Sequence, residues 1–228
     1  MNNSGKAGQA AVRIILLSFL VLLAVWAVGI VAYYLHAFIT TIAGTLAALW
    51  ALFVIFTLYV FRDPTPKVPA DPNAIVAPAH GKVDVIDEVE EPEFIGGRCR
   101  RISIFLSVFD VHVQQAPVAG KIVLLKHTPG LFLNALNTDS AEHNENVLIG
   151  IQSSEKAREK IGVRLIAGLI ARRILPWVAV ANEVARGERL SLIQFGSRVN
   201  LYLPLAAKVV VKLGDKVVGG ETILATRN

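Results

Sequence analysis

"LSLIQFGSRVNLYLP", residues 190–204, decides how the chain is read. Two apolar runs with strand-like alternation, one ending at Ile193 and one running from Val199 to Leu203, are broken by Gly196-Ser197, the only Gly-Ser step in the sequence. Alternation over a few residues, bounded by a turn signal, marks a half-buried strand rather than a helix. The same grammar recurs in "AIVAPAHGKVDVIDEV" (74–89), "RRISIFLS" (100–107), "VHVQQAPVAGKIVLLKH" (111–127), "ENVLIGIQ" (145–152) and "AKVVVKLGDKVVGGETILA" (207–225). Only "AGLIARRI" (167–174) invites a helix, and it is too short and too β-branched to win. Residues 74–228 therefore read as a single β-rich domain, and the chain as mainly β (α+β) once its N-terminal helices are counted.

Two segments, "PVAGKIVLLKHTPG" (117–130) and "VKLGDKVVGGETILA" (211–225), each place a glycine turn between valine-rich strands. They look like related halves of a flattened barrel with lipoyl-like hairpins. The Gly214-Asp215-Lys216 tip reads as an ordinary turn, Gly and Asp supplying positive φ and side-chain capping. "EVEEPEF" (88–94), with four glutamates, reads as a solvated loop.

Ahead of the β-rich body the composition changes. From Ile14 to Phe61 there is no Asp, Glu, Lys or Arg, a stretch of 48 residues. One helix needs about 20 residues to cross roughly 30 Å of hydrocarbon, so the stretch predicts a transmembrane helical hairpin. Its spans are Ile14–Leu35 and Phe38–Phe61, with the connection at His36-Ala37-Phe38. Lys6 and Arg13 precede the first span, Arg62 and Lys67 follow the second, and the connection has neither Lys nor Arg. Both ends are then cytoplasmic. The run is too long for a cleaved signal peptide. "FRDPTPKVPADPN" (61–73), with four prolines, cannot continue a helix and reads as an extended linker. The expected organisation is an anchor over 1–62, a Pro-rich linker over 63–73 and the β-domain over 74–228.

The net charge of +5 divides unevenly: residues 1–62 carry three basic and no acidic residues, leaving 20 basic against 18 acidic in the remainder. The bias belongs to the membrane end, which favours an anionic lipid surface over nucleic acid. A single cysteine, Cys99, excludes an internal disulfide framework and a multi-cysteine metal site. His127 and His143 stand too far from each other and from any ligand pattern for a metal centre, and there is no Gly-rich phosphate loop.

A serine after glycine has one chemical option beyond external attack. Its hydroxyl can attack the preceding carbonyl and convert the amide to an ester, and glycine leaves room for the strained backbone. β-Elimination from that ester cuts the chain and leaves dehydroalanine, whose tautomer hydrolyses to a ketone-bearing pyruvoyl group. A lone Gly-Ser pair does not establish this, but its surroundings do point somewhere.

"RGERLSLIQFGSRVNLYLP" (186–204) resembles the processing region of phosphatidylserine decarboxylases of the short, bacterial and archaeal-type branch. "VFRDPTP" (60–66), "IVAPAHGKV" (75–83), "SIFLSVFDVHVQQAPVAGKI" (103–122), "GLFLNALNTDSAEHNENVLI" (130–149) and "VRLIAGLIARRILPWV" (163–178) resemble that family's other blocks in order and spacing. The resemblance covers about residues 59–228. It implies a proenzyme that cuts itself between Gly196 and Ser197 into chains 1–196 and 197–228, which stay together as a heterodimer, with higher oligomers open. It further implies a covalent pyruvoyl cofactor made from Ser197, on which the amine of phosphatidylserine forms a Schiff base before CO₂ departs, yielding phosphatidylethanolamine. The catalytic domain would face the cytoplasm on the inner membrane, with no nucleic-acid partner and no metal.

The matched blocks carry the remaining site expectations. His112 is a catalytic imidazole for protonating the decarboxylated carbon or for cleavage. Asp110, two residues earlier, either orients His112 or closes a turn. The family's Pro-Ala-Asp-Gly block reads Pro78-Ala79-His80-Gly81 here, so His80 stands where an aspartate is usual and is itself a candidate base for Ser197. Where the long branch has a second histidine, this chain has Gln115. Asn144 and Glu145 are supporting residues. Arg164, Arg172 and Arg173 punctuate an apolar region, and a guanidinium there needs an anion: an internal carboxylate such as Glu183 or Glu188, or the substrate phosphate or carboxylate. Arg198 joins them as a substrate-binding candidate. The competing expectation is an uncleaved, non-catalytic membrane-tethered homologue that binds phospholipid or protein.

Overall fold

A computed structural model describes residues 6–135, 140–169, 173–194 and 196–227. The chain forms two compact units, a helical one ending at Phe56 and a β-rich one beginning at Thr57.

Helix α1 (Lys6–Val60) is a single uninterrupted helix of 55 residues. This corrects the expected two-span hairpin. His36-Ala37-Phe38 contains neither Pro nor Gly, and the hydroxyls of Thr40, Thr41 and Thr45 bond back to carbonyls of the preceding turn, so nothing there demands a break. Its apolar part, Ile15–Val60, is long and apolar enough to cross a membrane. At 1.5 Å per residue those 46 residues span about 69 Å, more than two hydrocarbon thicknesses. Apolar side chains such as Trp26, Tyr33, Leu46 and Phe53 are exposed around the helix. A cylinder apolar on all sides, with 0% of its span buried, is compatible with membrane association.

The body is built from β1 (Ala74–Val76), β2 (Gly81–Glu91), β3 (Gly97–Leu106), β4 (Val113–Gln115), β5 (Gly120–Thr128), a single turn α2 (Ser140–His143), β6 (Asn146–Ser153), β7 (Lys160–Ile166), β8 (Ile174–Pro176), β9 (Glu183–Val184), β10 (Arg189–Ile193), β11 (Ser197–Leu203), β12 (Lys208–Val209), β13 (Lys216–Val217) and β14 (Ile223–Thr226). Eight strands form one curled sheet in the order β13-β2-β3-β11-β7-β6-β5-β9, and two three-stranded sheets, β1-β14-β12 and β4-β10-β8, accompany it. All these pairings are antiparallel. The expected mainly β architecture is what forms.

Strand β11 lies inside the large sheet, between β3 and β7. All seven of its residues are buried. Period-2 alternation sends Val199, Leu201 and Leu203 into the main core with Ile102, Ile104, Ile149, Val163 and Leu165. It sends Tyr202 into a second cluster with Phe94, Cys99 and Leu148 on the other face. Burial, with Glu91 and Glu90 adding to it, pushes the Cys99 thiol up to about 11, which leaves it inert packing.

The acidic segment 88–94 departs in part from the solvated loop expected: Glu88, Glu90 and Glu93 are exposed and 92–94 is a turn, but Glu91 is buried at the end of a strand. β2 runs through to Glu91, whose buried carboxylate accepts the backbone N–H groups of Glu93, Phe94 and Ile95 at 3.2, 2.9 and 2.8 Å. A carboxylate satisfied by three peptide donors tolerates burial. The proline-rich segment is held against the body by hydrogen bonds and an ion pair. Arg186 donates to the carbonyls of Pro69, Asp71 and Pro72, Arg227 donates to Pro72, and Asp63 pairs with Arg189. At Gly214-Asp215 the chain makes the ordinary turn anticipated, with φ of +93° at Gly214 and the Lys212 N–H donating to the Asp215 carboxylate at 2.8 Å.

Candidate active site

Gly196 adopts φ of +66°, in the left-handed region where a side chain is strained. Ser197 follows as the first residue of β11, opposite Leu106 at the end of β3. The scissile candidate thus sits where an irregular, left-handed backbone is joined to a fully paired strand. Ser197 is completely buried, and its Oγ has no hydrogen-bond partner among the described residues. An orphaned buried hydroxyl costs roughly 1–3 kcal/mol, and packing alone does not call for one.

His112 is also completely buried. Its Nε2 accepts the N–H of Gly196 at 3.0 Å, across 84 residues of chain. The main chain of His112 is fixed as well: its carbonyl accepts Ile193 N–H at 3.1 Å and the Gln114 side-chain amide at 2.6 Å. The residue is therefore pinned between the end of β10 and the Gly196 turn. Burial lowers the His112 pKa, while the peptide groups and charge around Asp110 and the Val60 peptide oppose it. The imidazole is neutral near pH 7, with Nε2 as an acceptor.

Asp110 closes a turn. Its Oδ2 accepts the Ser107 N–H at 2.8 Å and the Ser107 hydroxyl at 2.7 Å, and its charge reaches both His112 and His80. His80 stands between β1 and β2, and its ring lies against Gly219, where any Cβ would collide with Gln115 Oε1 and crowd His80 Cδ2. Neither His80 Nε2, Ser197 Oγ nor the Gln115 amide has a hydrogen-bond partner among the described residues. His80 and Ser197 are thus not bonded to each other, and the imidazole already at the Gly196 turn is that of His112. Burial lowers the His80 pKa against the opposing charge of Asp110.

Asn144 and Glu145, the expected supporting residues, tie the backbone at the end of β7. Asn144 is buried; it accepts Leu133 N–H at 2.8 Å and donates to the carbonyls of Leu133 and Ala167 at 2.9 and 2.7 Å. Glu145 meets His127 Nε2 at 3.2 Å, and its carbonyl accepts Ala167 N–H at 2.9 Å. Both residues hold the end of β7, where Gly168 comes next. A Cβ on Gly168 would stand 2.5 Å from the Gly196 carbonyl oxygen and 3.3 Å from Ala135 Cβ. The glycine lets the two backbones meet, and nothing but an interrupted apolar run signals this in sequence. Gly168→Ala is expected to shift the Gly196 carbonyl and slow chain scission, at an overpacking cost of about 1–3 kcal/mol. A time course of freshly translated protein on a denaturing gel checks it; scission at the unaltered rate would show the contact to be idle.

The arginines separate. Arg164 lies 3.4 Å from Glu91 and 3.5 Å from Glu93, over the Tyr202 ring. Its carboxylate partners are internal, yet they are not the Glu183 or Glu188 anticipated, because Glu188 caps the Ala185 N–H and Glu183 lies on the β9 edge. Arg198, also expected to meet substrate, is 1% exposed and forks onto Asp84 at 2.7 and 2.6 Å. Arg173 is exposed, and its carbonyl accepts Gln194 N–H at 3.3 Å, two residues before Gly196. Arg172 lies outside the described residues.

The family model described as phosphatidylserine decarboxylase matches residues 53–225. The chain belongs to the phosphatidylserine decarboxylase family. The phosphatidylserine decarboxylase proenzyme of Desulfotalea psychrophila is 45% identical over 193 residues, covering 82% of this chain and 89% of its own length. That of Symbiobacterium thermophilum is 39% identical over 198 residues, covering 87% and 88%. That of Pelobacter propionicus is 44% identical over 178 residues, covering 78% and 80%. The phosphatidylserine decarboxylase match begins within α1, ahead of the proline-rich segment that is strapped to the body.

Proposed function

We propose that this chain decarboxylates phosphatidylserine to phosphatidylethanolamine after cutting itself between Gly196 and Ser197. The observation that carries the reading is Ser197 itself: a buried hydroxyl without a partner among the described residues, following a left-handed glycine whose N–H is held by a neutral histidine.

In the cut, Ser197 Oγ adds to the Gly196 carbonyl carbon as its proton leaves to a base. Collapse with departure of the Ser197 nitrogen leaves an ester between Gly196 and Oγ. Removal of the Ser197 Cα proton expels the Gly196 carboxylate, so Gly196 becomes a C-terminus and residue 197 becomes dehydroalanine. Tautomerisation to the imine, addition of water and loss of ammonia leave a ketone at the head of 197–228. The residues present suit such a group, since the orphaned hydroxyl is the one consumed. The pyruvoyl carbonyl supplies an electron sink for the pair left by CO₂.

The remaining tasks fall to the protein's own side chains and backbone. His112 Nε2 holds the Gly196 turn one residue from Ser197 and is the base assigned to it. Ladders from β11 to β3 and to β7 keep 197–228 seated in the sheet after its covalent link is lost. Arg173, which is exposed, is the described arginine left to meet the lipid phosphate or carboxylate. The body works at the cytoplasmic face of the cell membrane, supported by Arg62 and Lys67 directly after the apolar stretch. Tethering raises the effective concentration of a substrate that stays in the bilayer.

Intact mass and denaturing electrophoresis of the purified full-length protein test the reading. Two chains, 1–196 and 197–228, are expected, the smaller carrying a carbonyl reactive toward hydrazines. A single 24.7 kDa species with unmodified Ser197 would mean an uncleaved, non-catalytic homologue instead.

A further inference from the structure

Arg198 is the largest side chain that the body buries completely among the described residues. Its Nη1 donates to Asp84 Oδ1 at 2.7 Å and to Ser103 Oγ at 2.6 Å; its Nη2 donates to Asp84 Oδ2 at 2.6 Å and to the Ala135 carbonyl at 2.9 Å. Two neighbouring strands, β2 and β3, and one loop converge on this guanidinium. Asp84 reaches it from a register shift between Val83 and Val85, where β2 departs from regular pairing with β3. A bulge of this kind re-aims one side chain. The fork of two parallel N–H···O bonds fixes orientation as well as distance.

The position in the chain gives the clamp its meaning. Before scission, residue 197 is held covalently on both sides. After scission it has lost Gly196, and its nitrogen has left as ammonia, so it has no N–H with which to pair. The first side chain of the new chain is then Arg198. A reacting group needs to be held to well under 1 Å, and a misplacement of that order costs about a hundredfold in rate.

We infer that Arg198, gripped by Asp84, Ser103 and the Ala135 carbonyl, is the positioning residue that fixes the carbonyl-bearing end of 197–228, and that Asp84 is its principal holder. The inference rests on the cleavage proposed above and replaces the expectation that Arg198 binds lipid. It also explains why a charge is buried one residue from the cut: a hydrophobic side chain would fill the space without defining a direction.

The test uses full-length Asp84→Asn, Ser103→Ala and Arg198→Lys proteins, read three ways. Chain scission is followed by intact mass, kcat and KM are measured on phosphatidylserine in mixed vesicles, and the carbonyl is titrated by its rate of capture by phenylhydrazine. Asp84→Asn keeps one acceptor and the side-chain shape, so scission is expected to go to completion. Its kcat is expected to fall about tenfold to a hundredfold with KM within about twofold, and hydrazine capture to change several-fold as the end loosens. Ser103→Ala should move the same quantities less. If Asp84→Asn does not accumulate as folded protein, Ser103→Ala and Arg198→Lys carry the same comparison. Cleaved variants with kcat and capture rate like the parent would overturn the clamp, and a raised KM with unchanged kcat would return Arg198 to the substrate. An uncut parent protein would instead remove the cleavage reading on which the clamp stands.

Discussion

A Ser197→Ala protein is expected to remain one 24.7 kDa chain, to bind no hydrazine and to have no decarboxylase activity. The loss is total because the oxygen is both the nucleophile of the cut and the leaving atom of the elimination, so no other group inherits its part. What distinguishes this from ordinary damage is stability. Ser197 Oγ bonds to nothing among the described residues, so deleting it removes an unsatisfied buried polar atom and leaves the β11 ladders to Leu106 and Phe105 of β3 untouched. The thermal midpoint of the body should therefore equal or exceed that of a cleaved parent, the gain reaching about 1 kcal/mol. A variant that loses activity and also melts well below the parent would show that the hydroxyl was structural. One that is still cut would show that the scissile bond lies elsewhere.

The strand pattern of the body was legible because burial on one face imposes period-2 alternation, and "LSLI" and "VNLYL" carry it directly into β10 and β11. What alternation does not contain is which strands pair. Asp84 and Arg198 are 114 residues apart, and only the β2-β3-β11 order puts them together. Sequence therefore offered Arg198 to the lipid and passed over Asp84. Gly168 was missed for the same reason, since its value lies in a carbonyl 28 residues onward. The hairpin failed differently. Hydropathy measures apolar length, and 48 residues are enough for two crossings, but length does not break a helix. With no proline or glycine at His36-Ala37-Phe38, intrahelical bonding continues through it. In the acidic run 88–94 charge pointed correctly to solvent for Glu88, Glu90 and Glu93, but not for Glu91, which three peptide donors keep inside.

His112→Gln is expected to slow scission by about a hundredfold to ten-thousandfold, the range for removing a positioned acid or base. Glutamine retains an acceptor for Gly196 N–H but no group that titrates near neutrality, so it separates holding the turn from moving a proton. The pH profile of the parent follows from the same atom. Nε2 must be unprotonated to accept Gly196 N–H at 3.0 Å, and burial sets the His112 pKa below its ordinary value of about 6.5. Scission is therefore expected to be flat at pH 7 and above, and to fall only below 6.5, as protonation takes Nε2 out of that bond. Stability moves in the same direction. His80 is depressed by burial as well, so below about 6.5 the unfolded chain binds protons that the folded chain still refuses. The contribution of both histidines is complete above that pH and is lost as pH falls through the folded values. Circular dichroism midpoints at each pH separate unfolding from chemistry, because scission should decline while the body is still folded. Scission that is independent of pH between 5 and 8, or a glutamine variant cut at the parental rate, would remove His112 from the proton transfer and leave it only as the acceptor that holds Gly196.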